Sequence, residues 1–238
     1  MLIKTRGIVL RKLKYSETSI IADLLTEEFG RMSYIISGVR SARARTSASL
    51  LELLSIVDMV AYHSERQTLH RIKEIRPAYL YQTIPFDVRK NAMILFMAEL
   101  CAKTVMETEK NTALFTCIET SLRALDQATE GFANHHLEFM IALADELGFG
   151  PATNFSSEAT WFDLLGGAFI ASVPDHRYAM PDAEVLYRLI LSARGEGTSP
   201  SLTRVQRNQL IDQLILYYQL HIDNLKEIQS HRVLREVL

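Results

Sequence analysis

The sequence has little cysteine and no long apolar run, and each absence excludes a class of protein. Only Cys101 and Cys117 occur among 238 residues, too few for a disulfide-rich secreted domain and too far apart for a zinc site with paired ligands. No apolar run approaches the roughly 18 residues that cross a bilayer. Charges interrupt the first 17 residues, 1-MLIKTRGIVLRKLKYSE-17, so they do not read as a signal peptide. We therefore expect a reducing, cytoplasmic setting.

The motifs of common enzyme classes are missing as well. No Gly-x-x-x-x-Gly-Lys-Ser/Thr phosphate loop and no Gly-x-Ser-x-Gly nucleophile elbow occurs. The tripeptide 136-HLE-138 matches the opening of the zinc-deaminase signature, but no Pro-Cys-x-x-Cys follows it. The tripeptide 195-GEG-197 follows a predicted helix rather than a strand, and so indicates a helix stop. We therefore expect no enzymatic activity, no metal ion and no cofactor.

Short apolar segments separated by polar turns predict a β-rich amino-terminal part. Gly30 can take the positive φ that a hairpin loop with a bulge requires. The last apolar segment is ambiguous, because Leu69, Ile72 and Ile75 recur every three residues and also suit a helix. Five strands within about 75 residues favour a small barrel or a sandwich. The predicted strands span residues 8–10, 18–26, 31–38, 55–63 and 68–76.

Beyond the linker 77-PAYLYQTIP-85, apolar residues recur at spacings of three and four, which predicts helices. Asp87 suits the N-cap of the first, and residues 149–181 look irregular. The fold class is therefore α+β: a five-stranded amino-terminal domain over residues 1–80, then an all-α domain over residues 81–238 with an irregular insertion. The predicted helices span residues 87–108, 111–127, 133–148, 182–194 and 203–228.

The formal net charge is only −2, but basic and acidic residues are distributed unequally between the β-rich and the helical parts of the chain. Residues 1–80 contain 13 Lys and Arg against eight Asp and Glu, whereas the remainder contains 13 against 20. The first part should attract phosphate backbones and the second should not. We infer two domains with different partners.

The most cationic stretch is 38-GVRSARARTSASLLEL-53, in which small residues separate three arginines. Alone, such a stretch suits a solvated surface loop equally well. Closure of the strands into a barrel would gather it with other cations into a groove that follows a nucleic-acid backbone. Tyr15, Phe29 and Tyr34 could stack on bases, although Phe29 and Tyr34 also suit a core. The candidate phosphate contacts are Lys4, Arg6, Arg11, Lys12, Lys14, Arg31, Arg40, Arg43 and Arg45.

Several segments, in their order and spacing, resemble the RecO family of bacterial recombination mediators, and the resemblance spans essentially the whole chain. The segments are 7-GIVL-10, 15-YSET-18, 25-LTEEFG-30, 37-SGVR-40, 137-LEFMIALADELGFGP-151, 162-FDLLGGAF-169 and 217-YYQLHIDNLKEIQSHRVLREVL-238.

The resemblance implies an oligonucleotide/oligosaccharide-binding (OB) barrel followed by a helical domain, and a non-enzymatic role in DNA repair. RecO-like proteins bind single- and double-stranded DNA and anneal complementary strands. They also engage the acidic C-terminal tail of the single-strand DNA-binding protein (SSB) and, with RecR, help to load RecA. Many relatives carry a four-cysteine zinc loop, but 150-GPATNFSSEATWFDLLGGAF-169 contains no cysteine, so a zinc ion is not expected here.

The resemblance also implies a site for the SSB tail. An apolar pocket between helices with cations at its rim would hold a short acidic peptide. Lys103, Lys110 and Arg123 are candidates for that rim, although ordinary solvated helix charges explain them too. A rival hypothesis keeps the same basic residues but makes the barrel an adaptor that binds an acidic protein rather than DNA.

Overall fold

The computed structural model describes residues 1–37, 51–64, 66–172, 178–181 and 183–238. The chain forms two compact units, Met1–Gln127 and Ala128–Leu238, and each is described by itself. The first unit includes two long helices in addition to the strands, and the predicted domain boundary at residue 80 stays a prediction. Within the described ranges, no helix is long and apolar enough to span a membrane.

The strands of the first unit close into a barrel in the order β1-β2-β3-β5-β4, which is the OB topology. All neighbouring strands are antiparallel except β3 and β5, which run parallel. The predicted five-stranded barrel is confirmed. The strands are β1 (Leu2–Lys14), β2 (Ile20–Thr26), β3 (Gly30–Ile36), β4 (Ile56–Tyr62) and β5 (Leu69–Pro77).

A β-bulge in β1 changes which of its residues face the barrel interior. The register moves between Val9, which opposes Leu24, and Arg11, which opposes Asp23. Before the bulge the odd-numbered residues Ile3 and Val9 belong to the barrel core. After the bulge the even-numbered residues share a face with the core residues of β2, because opposed residues of an antiparallel pair lie on one face.

The segment 68–76 is a strand, so the helical alternative is wrong. A second bulge lies opposite Val60 and Ala61 and leaves Lys73 as the extra residue of β5. The inward side chains of β5 are therefore His70, Ile72 and Ile75. The three-residue spacing of Ile72 and Ile75 is the spacing of a bulged strand, which periodicity alone does not separate from a helix.

Two helices complete the first unit, α1 (Val88–Thr104) and α2 (Thr112–Gln127). Asp87 is the N-cap of α1 as predicted, because its carboxylate accepts a hydrogen bond from the Arg89 N–H. The linker before α1 is tied to the end of α2 by Asp126, whose carboxylate accepts from the backbone N–H groups of residues 82–84 at 2.9–3.0 Å.

The second unit contains α3 (His135–Glu146), α4 (Glu184–Ala193), α5 (Arg204–His221) and α6 (His231–Val237). The prediction of one helix over 203–228 is wrong beyond His221, because Ile222 is extended and Asn224 has a φ of 56°. The irregular insertion contains a small sheet of order β7-β6-β8 that the sequence did not reveal. Its strands are β6 (Trp161–Asp163), β7 (Ala168–Ile170) and β8 (Ala179–Met180), too short to show alternation.

Candidate nucleic-acid interface

The bulge in β1 divides its predicted cations between two faces of the barrel wall. Lys4 and Arg6 alternate with core residues and lie on the outer face. Lys12 opposes Ala22 and Lys14 opposes Ile20, and both partners are core residues. The two lysines therefore lie on the inward face, at the mouth of the barrel where the core ends.

Arg6 is held by two carboxylates. Its guanidinium donates two hydrogen bonds to Glu27 at 2.7 and 2.8 Å and two to Glu119 at 2.7 and 2.8 Å, and it lies 5.1 Å from the Phe115 ring centroid. Hydrogen bonding to Glu27 raises the pKa of Arg6, and hydrogen bonding to Arg6 lowers the pKa of Glu27. The charge of Arg6 is therefore compensated within the protein, where it links β1 to α2.

Arg31 is also engaged by the protein. Its Nη1 donates to the carbonyl oxygens of Ala102 at 2.8 Å and Val105 at 2.7 Å, and its Nη2 lies 3.3 Å from Asp23. The two carbonyl groups belong to the C-terminal end of α1, where helical carbonyls have no partner within the helix and favour a cation. Arg31 thus anchors the end of α1 to β3.

The other cations of the predicted set are more accessible. Arg11 has a side chain that is 54% exposed, 3.2 Å from Asp23, and Lys12 lies 2.6 Å from Glu52. Lys4 and Lys14 are exposed and make no ion pair with any described residue. These four side chains can exchange their present surroundings for a phosphate at small cost, because exposed ion pairs contribute only about 0–1 kcal/mol.

The predicted arginines 40, 43 and 45 lie outside the described residues, but both flanks of their segment are described. Upstream, Ile36 opposes Ile20, which in turn opposes Lys14. Downstream, Leu51 is buried in the barrel core and Glu52 pairs with Lys12. The described flanks of the arginine-rich segment therefore both lie beside the end of β1 that carries Lys12 and Lys14.

A further cationic surface, on β5, was not predicted. Arg71 and Lys73 line a cavity of about 560 Å³ with Tyr62 and Leu69, and all four side chains are exposed. The sequence signal was weak, because neighbouring Glu74 offsets the charge and the strand itself was ambiguous. The alternation of Arg71 and Lys73 beside aromatic Tyr62 is the feature that could have indicated it.

The three aromatic residues that could stack on bases differ in their exposure to solvent. Tyr15 is 61% exposed in the turn between β1 and β2. Tyr34 is fully buried in the barrel core, and burial raises its pKa. Phe29 packs against the same core and stacks on His63 at 4.9 Å between ring centroids. Of the three, only Tyr15 is placed to meet a base.

The three candidates for the rim of a tail-binding pocket each have a carboxylate partner. Lys103 lies 2.6 Å from Glu99, Lys110 lies 2.7 Å from Glu28, and Arg123 lies 2.7 Å from Glu119. Arg123 also stacks over Tyr79, with its guanidinium carbon 4.2 Å from the ring centroid. A peptide carboxylate would have to compete with these partners. In the second unit, a cavity of about 420 Å³ has a largely apolar lining that includes Met180, Val185, Leu186 and Leu210.

The side chains that could take part in metal binding or catalysis are engaged in packing and hydrogen bonding instead. Burial lowers the pKa of His136 to about 3, which keeps it neutral, and Glu138 accepts a hydrogen bond from Ser192 at 2.7 Å. Cys101 is buried, and burial raises the pKa of its thiol. Among the described residues, no three His, Cys, Asp or Glu side chains are grouped in a way that could hold a metal ion.

Comparison with known proteins assigns the family. Residues 1–81 match the model described as recombination protein O N terminal, and residues 85–227 match recombination protein O C terminal. The DNA repair protein RecO of Phocaeicola vulgatus is 33% identical over 239 residues, which cover 100% of this chain and 99% of the relative. RecO of Bacteroides fragilis strain YCH46 is 32% identical and that of Flavobacterium psychrophilum 31%, each over 100% of this chain and 99% of the relative. With an OB-type barrel and both matches in the same order, the chain belongs to the recombination protein O (RecO) family.

Proposed function

We propose that this protein is a DNA-binding recombination mediator that performs no covalent chemistry. It binds single- and double-stranded DNA, anneals complementary strands, and assists RecR in loading RecA onto strands coated with SSB. It acts in the cytoplasm, on the nucleoid. Family membership supports the role in DNA repair and recombination. One observation carries the DNA contact: Lys12 and Lys14 lie at the barrel mouth, between the two flanks of the arginine-rich segment.

Phosphate contact suits an annealing protein physically. Each phosphate neutralised by Lys or Arg releases counterions, which provides affinity without reading the base sequence. An annealing protein must accept any pair of complementary strands, so this independence of sequence is what its task requires. The hydrogen bonds that engage Arg6 and Arg31 within the protein support a smaller set of phosphate contacts than the sequence suggested. The proposed contacts are Lys4, Arg11, Lys12, Lys14, Arg40, Arg43 and Arg45, whereas Arg6 and Arg31 position the helices.

Replacing Arg40, Arg43 and Arg45 together with alanine should weaken binding to unrelated DNA sequences about equally. If about five phosphates are neutralised, log affinity for single strands falls against log salt with a slope of about −3.5. Losing three contacts should bring that slope to about −1.4. Fluorescence anisotropy with labelled oligonucleotides over a salt series measures it. The matched control replaces three other arginines, Arg89, Arg188 and Arg232; an equal change in slope there, or a flat salt response of the wild type, would contradict the proposal.

A pair of single substitutions separates phosphate contact from structural anchoring. Arg31→Ala should lower the free energy of unfolding by about 2–3 kcal/mol, because it removes charge-assisted hydrogen bonds, and it should leave the salt slope unchanged. Lys14→Ala should leave stability unchanged and reduce the salt slope by about 0.7 for single strands. Chemical denaturation and the same anisotropy series give both quantities. If Arg31→Ala changes the slope of log affinity against log salt, Arg31 contacts a phosphate and the assignment as a purely structural anchor is wrong.

For protein partners, we keep the SSB tail and RecR as proposals. Lys103, Lys110 and Arg123 would receive the carboxylates of the tail by exchanging their present partners Glu99, Glu28 and Glu119. The rival function, an adaptor whose basic barrel binds an acidic protein, uses the same cations as DNA does. A gel shift with single-stranded DNA and excess acidic peptide discriminates. DNA binding that persists supports the mediator, and peptide binding without any DNA binding supports the adaptor.

A further inference from the structure

The cavity on β5 is lined by residues at the end of β4, by residues of β5 and the turn before it, and by Ser37 just after β3. Tyr62 directly opposes Arg71 across the two strands, so their side chains are neighbours on the outer face. The bulge at Lys73 breaks the alternation and brings this lysine into the same cavity. Ser37 and Gln67 also line it. At about 560 Å³, the cavity has the volume of a small-ligand site, which is typically about 300–1,000 Å³.

The lining offers separate places for a flat ring and for an anion. The Tyr62 side chain is 49% exposed and Leu69 is 37% exposed, so together they present a broad apolar surface with one aromatic face. Arg71 makes no ion pair with a described residue, and Lys73 only approaches Glu74 at 3.4 Å. Gln67 adds an amide that can both donate to and accept from a base edge. A cation beside an aromatic face is the arrangement that binds single strands irrespective of sequence.

We propose that this cavity binds one unpaired nucleotide of a DNA strand, with its base stacked on Tyr62 and its phosphate held by Arg71 and Lys73. The inference rests on the proposed DNA-binding function and adds strand selectivity to it. In a duplex, the base faces are already stacked on neighbouring pairs, so only an unpaired base can reach Tyr62. The cavity therefore favours single strands, while the phosphate contacts of the arginine-rich segment serve both forms.

The test compares Tyr62→Ala with wild type on three ligands: a labelled thymidine oligonucleotide, an abasic oligonucleotide of equal length, and a duplex. The expected loss of affinity for the thymidine strand is roughly 5- to 150-fold, which corresponds to the about 1–3 kcal/mol typical of replacing an aromatic stacking residue with alanine. Affinity for the abasic strand and the duplex should change by less than about twofold. Tyr62→Phe should retain binding, since it keeps the ring. Phe86→Ala is the matched control, because Phe86 is 87% exposed and does not line the cavity.

Arg71→Ala probes the phosphate half of the site. It should weaken the thymidine and the abasic strands alike and reduce the salt slope by about 0.7, whereas Arg76→Ala, on the same strand but outside this cavity, should not. An equal loss on strand and duplex for Tyr62→Ala, or no loss on the thymidine strand, overturns the inference. So does displacement of the thymidine strand by a polyglutamate peptide at lower concentration, which would identify a peptide site.

The outcome for the arginine-rich segment keeps the two proposals apart. If its triple alanine variant weakens all DNA binding while Tyr62→Ala has no effect, the single-nucleotide site fails and the mediator function stands. If wild type binds none of the three ligands in a salt-dependent manner, both fail. Circular dichroism spectra and melting curves of each variant confirm that the barrel is intact before affinities are compared.

Discussion

Replacing Asp126 with asparagine should lower the free energy of unfolding of the first unit by about 3–5 kcal/mol, the cost typical of removing one member of a buried charged network. Asp126 is 1% exposed. Its carboxylate accepts from the backbone N–H groups of Gln82, Thr83 and Ile84, and from the Tyr79 hydroxyl at 3.0 Å. Asparagine has one acceptor oxygen where aspartate has two, and its amide group would face donors.

The same network gives the Asp126 prediction a local measurement. Buried Lys90 donates to the Thr83 hydroxyl at 2.5 Å, and that hydroxyl donates to the Asp126 carbonyl oxygen. The linker between β5 and α1 is therefore held by these hydrogen bonds in addition to its own short 3₁₀ turn, Ile84–Phe86. Amide hydrogen exchange at residues 82–84 should accelerate in the variant more than exchange in the barrel core. Asp223→Asn, at an exposed position, is the matched control. Its free energy of unfolding should stay within about 0.5 kcal/mol of that of the wild type.

The pH dependence provides a second check on Asp126. Burial raises the pKa of this carboxyl, but the hydrogen bonds from three backbone N–H groups outweigh it, so the pKa lies below its ordinary value. A group with a lowered pKa contributes stability above the pKa of the unfolded chain, about 3.9 for aspartate. That contribution is lost as pH falls through the folded pKa. The asparagine variant lacks this contribution, so the difference in stability between the two proteins should shrink in acid. A difference that stays constant to low pH would contradict the assigned role.

Replacing Gly30 with alanine should cost about 3 kcal/mol, by a different mechanism. Gly30 has a φ of 66°, and an L-residue in this region costs about 1–2 kcal/mol. An added Cβ would lie 2.8 Å from the Glu107 oxygen and the Glu109 nitrogen, and closer still to the Glu109 oxygen. These are backbone atoms that a rotamer change does not move, and overpacking typically adds about 1–3 kcal/mol.

A matched control isolates the contact from the conformation. Gly131 has a φ of 71° with no atom within 4 Å of an added Cβ, so Gly131→Ala should cost only the conformational part, about 1–2 kcal/mol. Chemical denaturation of both variants measures the difference. The excess loss at Gly30 reports how closely the β2–β3 turn packs on residues 107–109, where Arg31 also donates its N–H to Glu107 at 2.7 Å. If the two variants lose the same free energy of unfolding, residues 107–109 move aside without cost and the contact does not contribute to stability.

The strands and the helices were largely predictable, because both depend on local periodicity. The sequence predicted five strands and five helices of the structure, and the N-cap at Asp87 was recognisable from its residue type. Some errors concern the extent of elements, since β1 was predicted over residues 8–10 but spans Leu2–Lys14, and α6 was not predicted. Others arise where periodicity has too few residues or two interpretations. The strands β6, β7 and β8 have only two or three residues each. The bulge at Lys73 gave β5 a helix-like spacing.

The candidate interface was less predictable, because the partner of a charge is chosen in three dimensions. In the sequence, Arg6 and Lys14 are both cations that flank the predicted strand 8–10, and nothing distinguishes them. In the structure, Arg6 meets Glu119, 113 positions away, while Lys14 meets no described carboxylate. The single bulge between Val9 and Arg11 then decides which lysines face the barrel mouth. Local residue spacing predicts neither the partner of a cation nor the face of the barrel wall on which it lies.

The sequence by itself determined a basic barrel followed by a more acidic helical part, and it determined membership of the RecO family. The first follows from composition and periodicity, which are properties of neighbours in the chain, and the second from the order and spacing of the segments that resemble RecO. Only the tertiary structure decided which cations remain accessible to DNA, and that Tyr62, Arg71 and Lys73 share one cavity. The physical reason is that strand pairing, bulges and long-range ion pairs bring together residues whose separation along the chain carries no signal.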